Sequence, residues 1–147
     1  MKAFFEELYH YNWLVNGKIN EAVLSGYTRL PVRTIAVTAH IQLVHLSWNN
    51  RMHGIDTIVD LWKEVNKDDL SKLNDNNLKV TLEILNTVGL EDTFSYKNSQ
   101  GKEFTNTYKD VLFHLINHGS YHRGQINASL REAGFEPVIT EYIFYKR

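Results

Sequence analysis

The chain has 147 residues, a mass of 17.2 kDa and a net charge of −1, and 43% of its residues are apolar while 22% are charged. These values fit a single folded domain over residues 1–147, exclude wholesale disorder, and give no basic face of the kind that nucleic-acid binding needs. The apolar stretches are shorter than the roughly 18 residues of a membrane span, and the lack of cysteine excludes disulfides, cysteine–zinc sites, iron–sulfur clusters and a cysteine nucleophile.

The beginning of the sequence favours a cytoplasmic protein. Phe4 and Phe5 are followed by Glu6 and Glu7, and this acidic pair interrupts any apolar core of a signal peptide. We therefore expect no signal peptide, and we expect neither a membrane nor nucleic acid as a partner.

Two helices are predicted in the first third of the chain. Apolar residues recur at helical spacing over residues 3–26, and Gly26 is a plausible C-terminal stop. Pro31 suits the first turn of a second helix, which we expect over residues 31–53 with Gly54 as its end.

The middle of the chain predicts a third helix and a hairpin. The third helix covers residues 67–88 and ends at Gly89, although the asparagine-rich stretch 74–77 is a poor helix former and leaves room for a break. Aromatic residues on either side of the turn sequence Asn98-Ser99-Gln100-Gly101 predict a short β-hairpin over residues 94–107.

A fourth helix is predicted over residues 108–132, with Gly134 as the glycine that follows its end. The tail, residues 137–145, alternates in polarity and could be extended. Four long helices with one hairpin in the last connection predict a helix bundle. Bundles place metal and cofactor sites inside, on side chains of facing helices.

Three of the seven histidines, His114, His118 and His122, follow one another at intervals of four residues on the fourth helix. Residues four apart lie about 40° round a helix and one turn up, so these side chains form a stripe. His118 and His122 can both reach one ion, as histidines with this spacing do in helical zinc sites. Small or apolar neighbours suggest that the stripe faces inward.

The second helix carries two further candidates, His40 and His45. The polar residues of this helix share one arc: Thr34, Thr38, Gln42, His45 and Asn49. His40 lies about 160° from the centre of that arc, among apolar residues. A polar group on the buried side needs a partner, because an unsatisfied one costs about 1–3 kcal/mol. We therefore expect His40 to share an ion with the stripe, and we expect His45, His10 and His53 to be solvated or peripheral.

Each of these features also has an ordinary structural explanation. A histidine pair spaced by four is common, and a lone inward histidine is more often a hydrogen-bonded core residue. Their presence in one predicted bundle is what favours a shared metal ion. His114 could replace His118 as a ligand or could orient a ligand by contact, and we favour the second role. Trp13, Trp48 and Trp62 are most simply core or interface residues.

Residues 117–125, NHGSYHRGQ, resemble the NHxxxHRGQ motif of the DinB/YfiT-like superfamily of small metal-binding bundles. His40 with Trp48 and Arg51 is similar to that family's HxxxxxxxW segment on its second helix, and residues 11–16 are a weaker match. The predicted hairpin and the closing residues 141–145 also fit the family's layout. The resemblance covers essentially the whole chain, and the motif on the fourth helix is its specific part.

The resemblance implies that His40, His118 and His122 are the metal ligands. It also implies a homodimer, often packed through the first two helices. Many relatives have a histidine where this chain has Tyr121, a departure that leaves the ligands in place and alters the pocket. We therefore expect an all-α, up-down-down-up type four-helix bundle with a short β-hairpin before the last helix.

Three neutral imidazoles leave at least one coordination position open, as in catalytic zinc sites. The all-nitrogen set suits zinc or nickel first, and iron, cobalt or manganese are also compatible. Some members of the superfamily are thiol-dependent transferases, so the resemblance implies a thiol S-transferase or a hydrolase that acts on a small-molecule thiol or electrophile. We expect Asn16, Gln125 or Tyr121 to contact the substrate.

The alternative is a non-catalytic metal-binding or stress-response (damage-inducible) protein. Such a protein would need a closed site with a fourth protein ligand, and His114 is the only nearby candidate in the sequence. An enzyme would instead need a pocket open beside the ion.

Overall fold

The computed structural model describes residues 1–55, 57–98 and 100–147. The elements in chain order are α1 (Lys2–Ser25), α2 (Val32–Met52), α3 (Lys67–Thr87), β1 (Thr93–Lys97), β2 (Glu103–Thr107), α4 (Tyr108–Glu132) and α5 (Tyr142–Tyr145). The four long helices and the hairpin are therefore confirmed, with bounds within one or two residues of those predicted. Ser99, in the predicted turn of the hairpin, lies outside the described residues.

Local interactions at the two ends of α4 explain why this helix begins and ends where it does. The Thr107 hydroxyl accepts a hydrogen bond from the backbone N–H of Asp110 at 3.1 Å, which caps the first turn. At the other end, Gly134 has a φ of +79°, and the N–H of Phe135 donates to the carbonyl of Leu130 at 2.9 Å. Glycine adopts this left-handed backbone conformation at the lowest energetic cost, so it is the common residue at this position after a helix.

The structure decides two points of local structure that the sequence left open. The third helix runs unbroken through residues 74–77, because the Asn74 amide donates to the Trp13 carbonyl at 2.9 Å and the Asn77 amide donates to the Gln42 carbonyl at 3.0 Å. These tertiary bonds compensate for the poor helix propensity of asparagine. The end of the tail is not extended, because Tyr142–Tyr145 form the short helix α5, where the hydroxyl of Tyr142 donates to Glu7.

Helices α1 and α2 each pack against both α3 and α4, and they lie diagonally across the bundle from each other. Gln42 and Asn49 of α2 contact Asn77 and Thr81 of α3, respectively, so α2 and α3 run parallel. Tyr9 and Asn12 of α1 contact Leu112 and Arg123 of α4, so α1 and α4 also run parallel. His40 and Trp48 of α2 contact His118 and His114 of α4, so α2 and α4 run antiparallel. The up-down-down-up bundle is thus confirmed.

The interior has apolar clusters towards its two ends and a polar layer between them. One cluster includes Tyr9, Ile84 and Leu112, and the other includes Val23 and Leu130. Buried amide, hydroxyl, imidazole and guanidinium groups occupy the middle of the four helices. In the part of the chain that the structure describes, no helix combines the length and apolarity needed to cross a membrane. The candidate site lies beside the polar layer, between α2 and α4.

Candidate metal centre

The structure brings His40 of α2 together with His118 and His122 of α4. Each residue offers one ring nitrogen, and these three atoms lie within 4.8 Å of one another. The ring centroids are 5.2 Å apart for His40 and His118, 5.1 Å for His40 and His122, and 4.4 Å for the two histidines of α4. His40 is buried and the other two are half-buried, so the cluster sits near the bundle surface.

Hydrogen bonds orient two of these rings. Nδ1 of His40 lies 3.0 Å from the carbonyl oxygen of Leu61, and Nδ1 of His122 lies 2.9 Å from Oε1 of Gln125. Both partners accept, so each Nδ1 carries the proton and each Nε2 keeps its lone pair. Metal-binding histidines are commonly held in this way, because the bond fixes the tautomer and the ring orientation.

Burial favours the neutral form of two of these histidines, His118 and His40. Burial, together with the neighbouring histidines, lowers the pKa of His118 to about 3. Burial also lowers the pKa of His40, although the hydrogen bond to the Leu61 carbonyl opposes this shift. Neutral imidazoles need no deprotonation before they bind a cation. The donor set therefore fits a divalent transition-metal ion, whose site these three residues would form.

A loop that the sequence patterns did not single out covers one side of the cluster. The Trp62 ring stacks on His40, with centroids 4.0 Å apart and planes 10° from parallel, and 54% of Trp62 remains exposed. Leu61 and Trp62 lie between α2 and α3, where no helical or strand periodicity marks them. Trp62 was expected in the core or an interface, and it instead stacks on a candidate ligand.

The remaining predicted site residues lie at different distances from this cluster. His114 is exposed and contacts His118 and Trp48, with centroids 5.7 and 5.9 Å away, but it does not join the group of three. Tyr121 is 64% exposed and its ring lies 5.0 Å from that of His122. The functional roles suggested for both residues stay predictions.

Asn16 is placed elsewhere, in a network around Arg123 that the sequence analysis missed. Arg123 is fully buried, and Nη1 donates to Oδ1 of Asn12 at 2.6 Å and to Oδ1 of Asn16 at 2.8 Å. Its Nη2 donates to the Ser120 hydroxyl at 3.0 Å. The signal in the sequence was the spacing of four between the two asparagines, which gives them one face of α1. A role for Asn16 in contacting substrate stays a prediction.

The expectation that His45 is solvated is wrong. Its side chain is buried, Nε2 lies 2.8 Å from the Thr81 hydroxyl, and burial lowers its pKa to about 3. The whole polar arc of α2 is buried, and three of its members, Gln42, His45 and Asn49, hydrogen-bond to polar residues of α3. The exposure of His10 and His53 agrees with their predicted peripheral positions.

A cavity of about 620 Å³ lies beside the loop that contacts His40, and Leu61 and Trp62 form part of its wall. The end of α2, the loop that follows it and the hairpin supply the remaining walls. The loop that carries Leu61 and Trp62 thus contacts the candidate ligand His40 and also lines this cavity.

Comparisons with known proteins agree with this architecture. The model of the DinB family matches residues 28–147, which include all three clustered histidines. "Protein DinB" of Bacillus subtilis (strain 168) is 49% identical over 39 residues, which cover 26% of this chain and 23% of that protein. The chain therefore spans less than a quarter of the length of that curated relative. No solved structure matches the chain significantly. On the extent of the family match, the chain belongs to the DinB family.

Proposed function

We propose that this protein binds one divalent metal ion through His40, His118 and His122 and acts as a metal-dependent enzyme, a thiol-dependent S-transferase or a hydrolase. The observation that carries the proposal is the convergence of three histidine ring nitrogens within 4.8 Å, drawn from two helices. Zinc and nickel suit this all-nitrogen set best, and cobalt, ferrous iron and manganese are compatible.

An open coordination position supports the enzyme over the alternative. Among residues 1–55, 57–98 and 100–147, no fourth histidine or carboxylate joins the group, and His114 lies outside it. Three protein ligands are typical of catalytic sites, whereas structural sites use four. A bound ion would lower the pKa of a coordinated thiol or water and so supply a nucleophile at neutral pH.

Residues around the cluster would prepare it for this chemistry. The Leu61 carbonyl and the Gln125 side chain hold His40 and His122 in the tautomer that presents Nε2. Trp62 shields one face of His40 from water. Tyr121 and Gln125 are exposed next to His122, where they would contact a substrate that approaches from solvent.

Metal titration of the purified, metal-free protein tests the proposal. We expect one zinc or nickel ion per chain, and a loss of affinity of at least 100-fold in each of His40→Ala, His118→Ala and His122→Ala. His114→Ala and His45→Ala are matched controls and should keep most of the affinity. An equal loss in His114→Ala would indicate a closed, four-ligand site and favour the non-catalytic metal-binding or stress-response alternative.

A conjugation assay then separates the enzyme from the alternative. The metal-loaded protein is mixed with a chromogenic electrophile and each of several low-molecular-weight thiols, and ester hydrolysis is followed in parallel. We expect a rate above background that disappears in His118→Ala. Metal binding without any such rate would favour the non-catalytic alternative.

We also propose that the protein is a homodimer in which α1 takes part. Several large apolar side chains of α1 and of its neighbour α4 are exposed: Phe4, Trp13, Leu14 and Phe113. Apolar groups of this size favour burial against a second copy. Sedimentation equilibrium at micromolar concentration should give a dimer, and Phe4→Glu should shift it towards monomer. A monomeric wild-type protein would contradict the proposal.

A further inference from the structure

Two consecutive residues of the loop between α2 and α3 hold the ring of His40. The carbonyl oxygen of Leu61 lies 3.0 Å from Nδ1, at the edge of the imidazole. The Trp62 ring stacks on the face of the same imidazole, with centroids 4.0 Å apart and planes 10° from parallel. The edge contact sets the direction of Nε2 within the ring plane, and the face contact sets the tilt of that plane. Together they orient the lone pair of a candidate ligand.

The two histidines with orienting hydrogen bonds depend on different parts of the chain. His122 is held by Gln125, which lies 3 residues further along the same helix. The hydrogen-bond partner of His40 is Leu61, which lies 21 residues further along the chain, in a loop. The orientation of His122 is therefore set within α4, whereas the orientation of His40 depends on where this loop packs.

Contacts of its own hold the loop next to His40. The backbone N–H of Trp62 donates to Oδ1 of Asp60 at 3.0 Å, and the backbone N–H of Lys63 donates to the Asp60 carbonyl at 3.4 Å, so residues 60–63 form a turn. The Leu61 side chain packs against the apolar cluster that includes Tyr9, Ile84 and Leu112. The turn thus presents the carbonyl of Leu61 and the ring of Trp62 to the same histidine.

The geometry of the stack suits an electron-poor imidazole. Trp62 keeps 54% of its surface exposed, so burial alone does not account for its position. Two neutral aromatic rings prefer an offset or edge-to-face arrangement to a close parallel one. A ring that carries positive charge is instead attracted to the electron-rich face of an indole. The parallel stack at 4.0 Å matches the second case.

A bound metal ion would give His40 this character. Its Nε2 would donate a lone pair to the cation, which draws electron density out of the imidazole. The Nδ1–H group then becomes a stronger donor to the Leu61 carbonyl, because charge assists the hydrogen bond. Both contacts between the loop and His40 therefore gain strength when the ion binds. Such coupling is reciprocal, so the same contacts strengthen metal binding.

We propose that Trp62 is a positioning residue of the metal site, which holds His40 by stacking and packs more tightly on that ring when the ion is bound. The inference rests on the proposed function, to which it adds a coupling between metal binding and the loop. The role belongs to the aromatic face of Trp62, so a smaller aromatic ring replaces it in part and an aliphatic side chain does not.

Zinc titration in competition with a chromophoric chelator tests the role of the ring. Trp62→Leu removes the aromatic face and should weaken zinc binding by about 10-fold, as the loss of a contact that orients a ligand does. Trp62→Phe keeps a smaller face and should lose clearly less affinity. Ile58→Ala, at a 91% exposed position of the same loop, is the matched control and should bind zinc like the wild type. Circular dichroism verifies that each variant is folded.

A nuclear magnetic resonance readout separates this coupling from a general effect on the fold. Each tryptophan gives its own indole N–H signal, and the signal of Trp62 is the one that is missing in Trp62→Phe. Zinc should shift the Trp62 signal of the wild-type protein. The signal of Trp13, whose indole N–H donates to Asp75 of α3, should stay in place.

The outcomes separate this inference from the proposed function. If the wild type binds zinc and Trp62→Leu keeps the full affinity, the role of Trp62 is overturned and the metal proposal stands. The same holds if zinc does not shift the Trp62 signal, if Trp62→Phe binds no better than Trp62→Leu, or if Ile58→Ala loses as much affinity as Trp62→Leu. A wild-type protein that binds neither zinc nor nickel overturns both proposals.

Discussion

Nη1 of Arg123 lies 2.6 Å from Oδ1 of Asn12, and this bond joins α4 to α1 in the middle of the bundle. The guanidinium is fully buried, and its partners within the described chain are neutral oxygens rather than carboxylates. A buried cation destabilises the fold unless hydrogen bonds compensate for its lost hydration, and the asparagines of α1 supply such bonds. The next residue towards the N-terminus is His122, so the same bond fixes the height and rotation of a candidate ligand.

We predict that Arg123→Met lowers the free energy of unfolding by about 2–4 kcal/mol, since it leaves the buried oxygens of Asn12 and Asn16 without donors. Urea unfolding followed by circular dichroism measures the change. Arg131→Met, an exposed arginine on the same helix, is the control and should change stability by about 0.5 kcal/mol or less. Equal effects of the two substitutions would contradict the assigned role of Arg123.

We predict opposite effects of alanine at two glycines of α4. A Cβ at Gly119 would lie 2.8 Å from Nη1 of Arg123 and 3.0 Å from Oδ1 of Asn12, and neither group can move without losing its bond. Gly119→Ala should therefore destabilise the fold by about 1–3 kcal/mol. Gly124 has open space around its Cβ position, so Gly124→Ala should stabilise it by up to about 1 kcal/mol. Thermal melts of both variants show whether each substitution stabilises or destabilises the fold. Stabilisation by Gly119→Ala would contradict the close packing of Gly119 against Arg123 and Asn12.

We predict that Gln125→Leu weakens metal binding by about 10–100-fold without changing the number of ions bound, because the His122 ring loses the acceptor that orients it. Competition against a chromophoric chelator measures the affinity. Asn117→Leu introduces a similar side chain at an exposed position of the same helix and should leave the affinity unchanged. An unaltered affinity in Gln125→Leu would show that the Gln125 contact does not orient the ligand.

We predict that His45 makes the metal-free protein less stable in acid. Its pKa is about 3 in the folded state against an ordinary value near 6.5, so below about pH 6.5 the unfolded chain takes up a proton that the folded chain does not. The stability present at neutral pH is therefore lost as pH falls from about 6.5 towards 3, by up to about 1.4 kcal/mol per pH unit.

Urea unfolding of the metal-free protein at pH 7, 6 and 5 tests this dependence. His45→Gln should show a shallower loss of stability with falling pH than wild type, whatever its stability at pH 7. His10→Gln, at an exposed position, should follow the wild-type slope. If wild type and His45→Gln have the same slope, the buried neutral state of His45 is not what sets the pH dependence.

The sequence by itself determined the helices, the hairpin and the three histidines that the structure groups together. Helix ends are local events, so Gly134 and Thr107 mark the limits of α4 without reference to the rest of the chain. The grouping of His118 and His122 follows from helical periodicity alone. The position of His40 opposite the polar arc of α2 and the resemblance to a known family both indicated it as the third member.

Only the tertiary structure decided which polar residues are buried. Helical periodicity makes the polar arc of α2 look like a face exposed to solvent. Periodicity shows which residues share one side of a helix, but it does not show which part of the protein packs against that side. The arc meets the polar residues of α3, so His45 is buried against Thr81 and the asparagine-rich stretch of α3 stays helical. Leu61 and Trp62 were placed beside His40 by a loop whose position depends on packing over long sequence separations. No local pattern carries that information, because each contact gains its energy from residues that are distant in the chain.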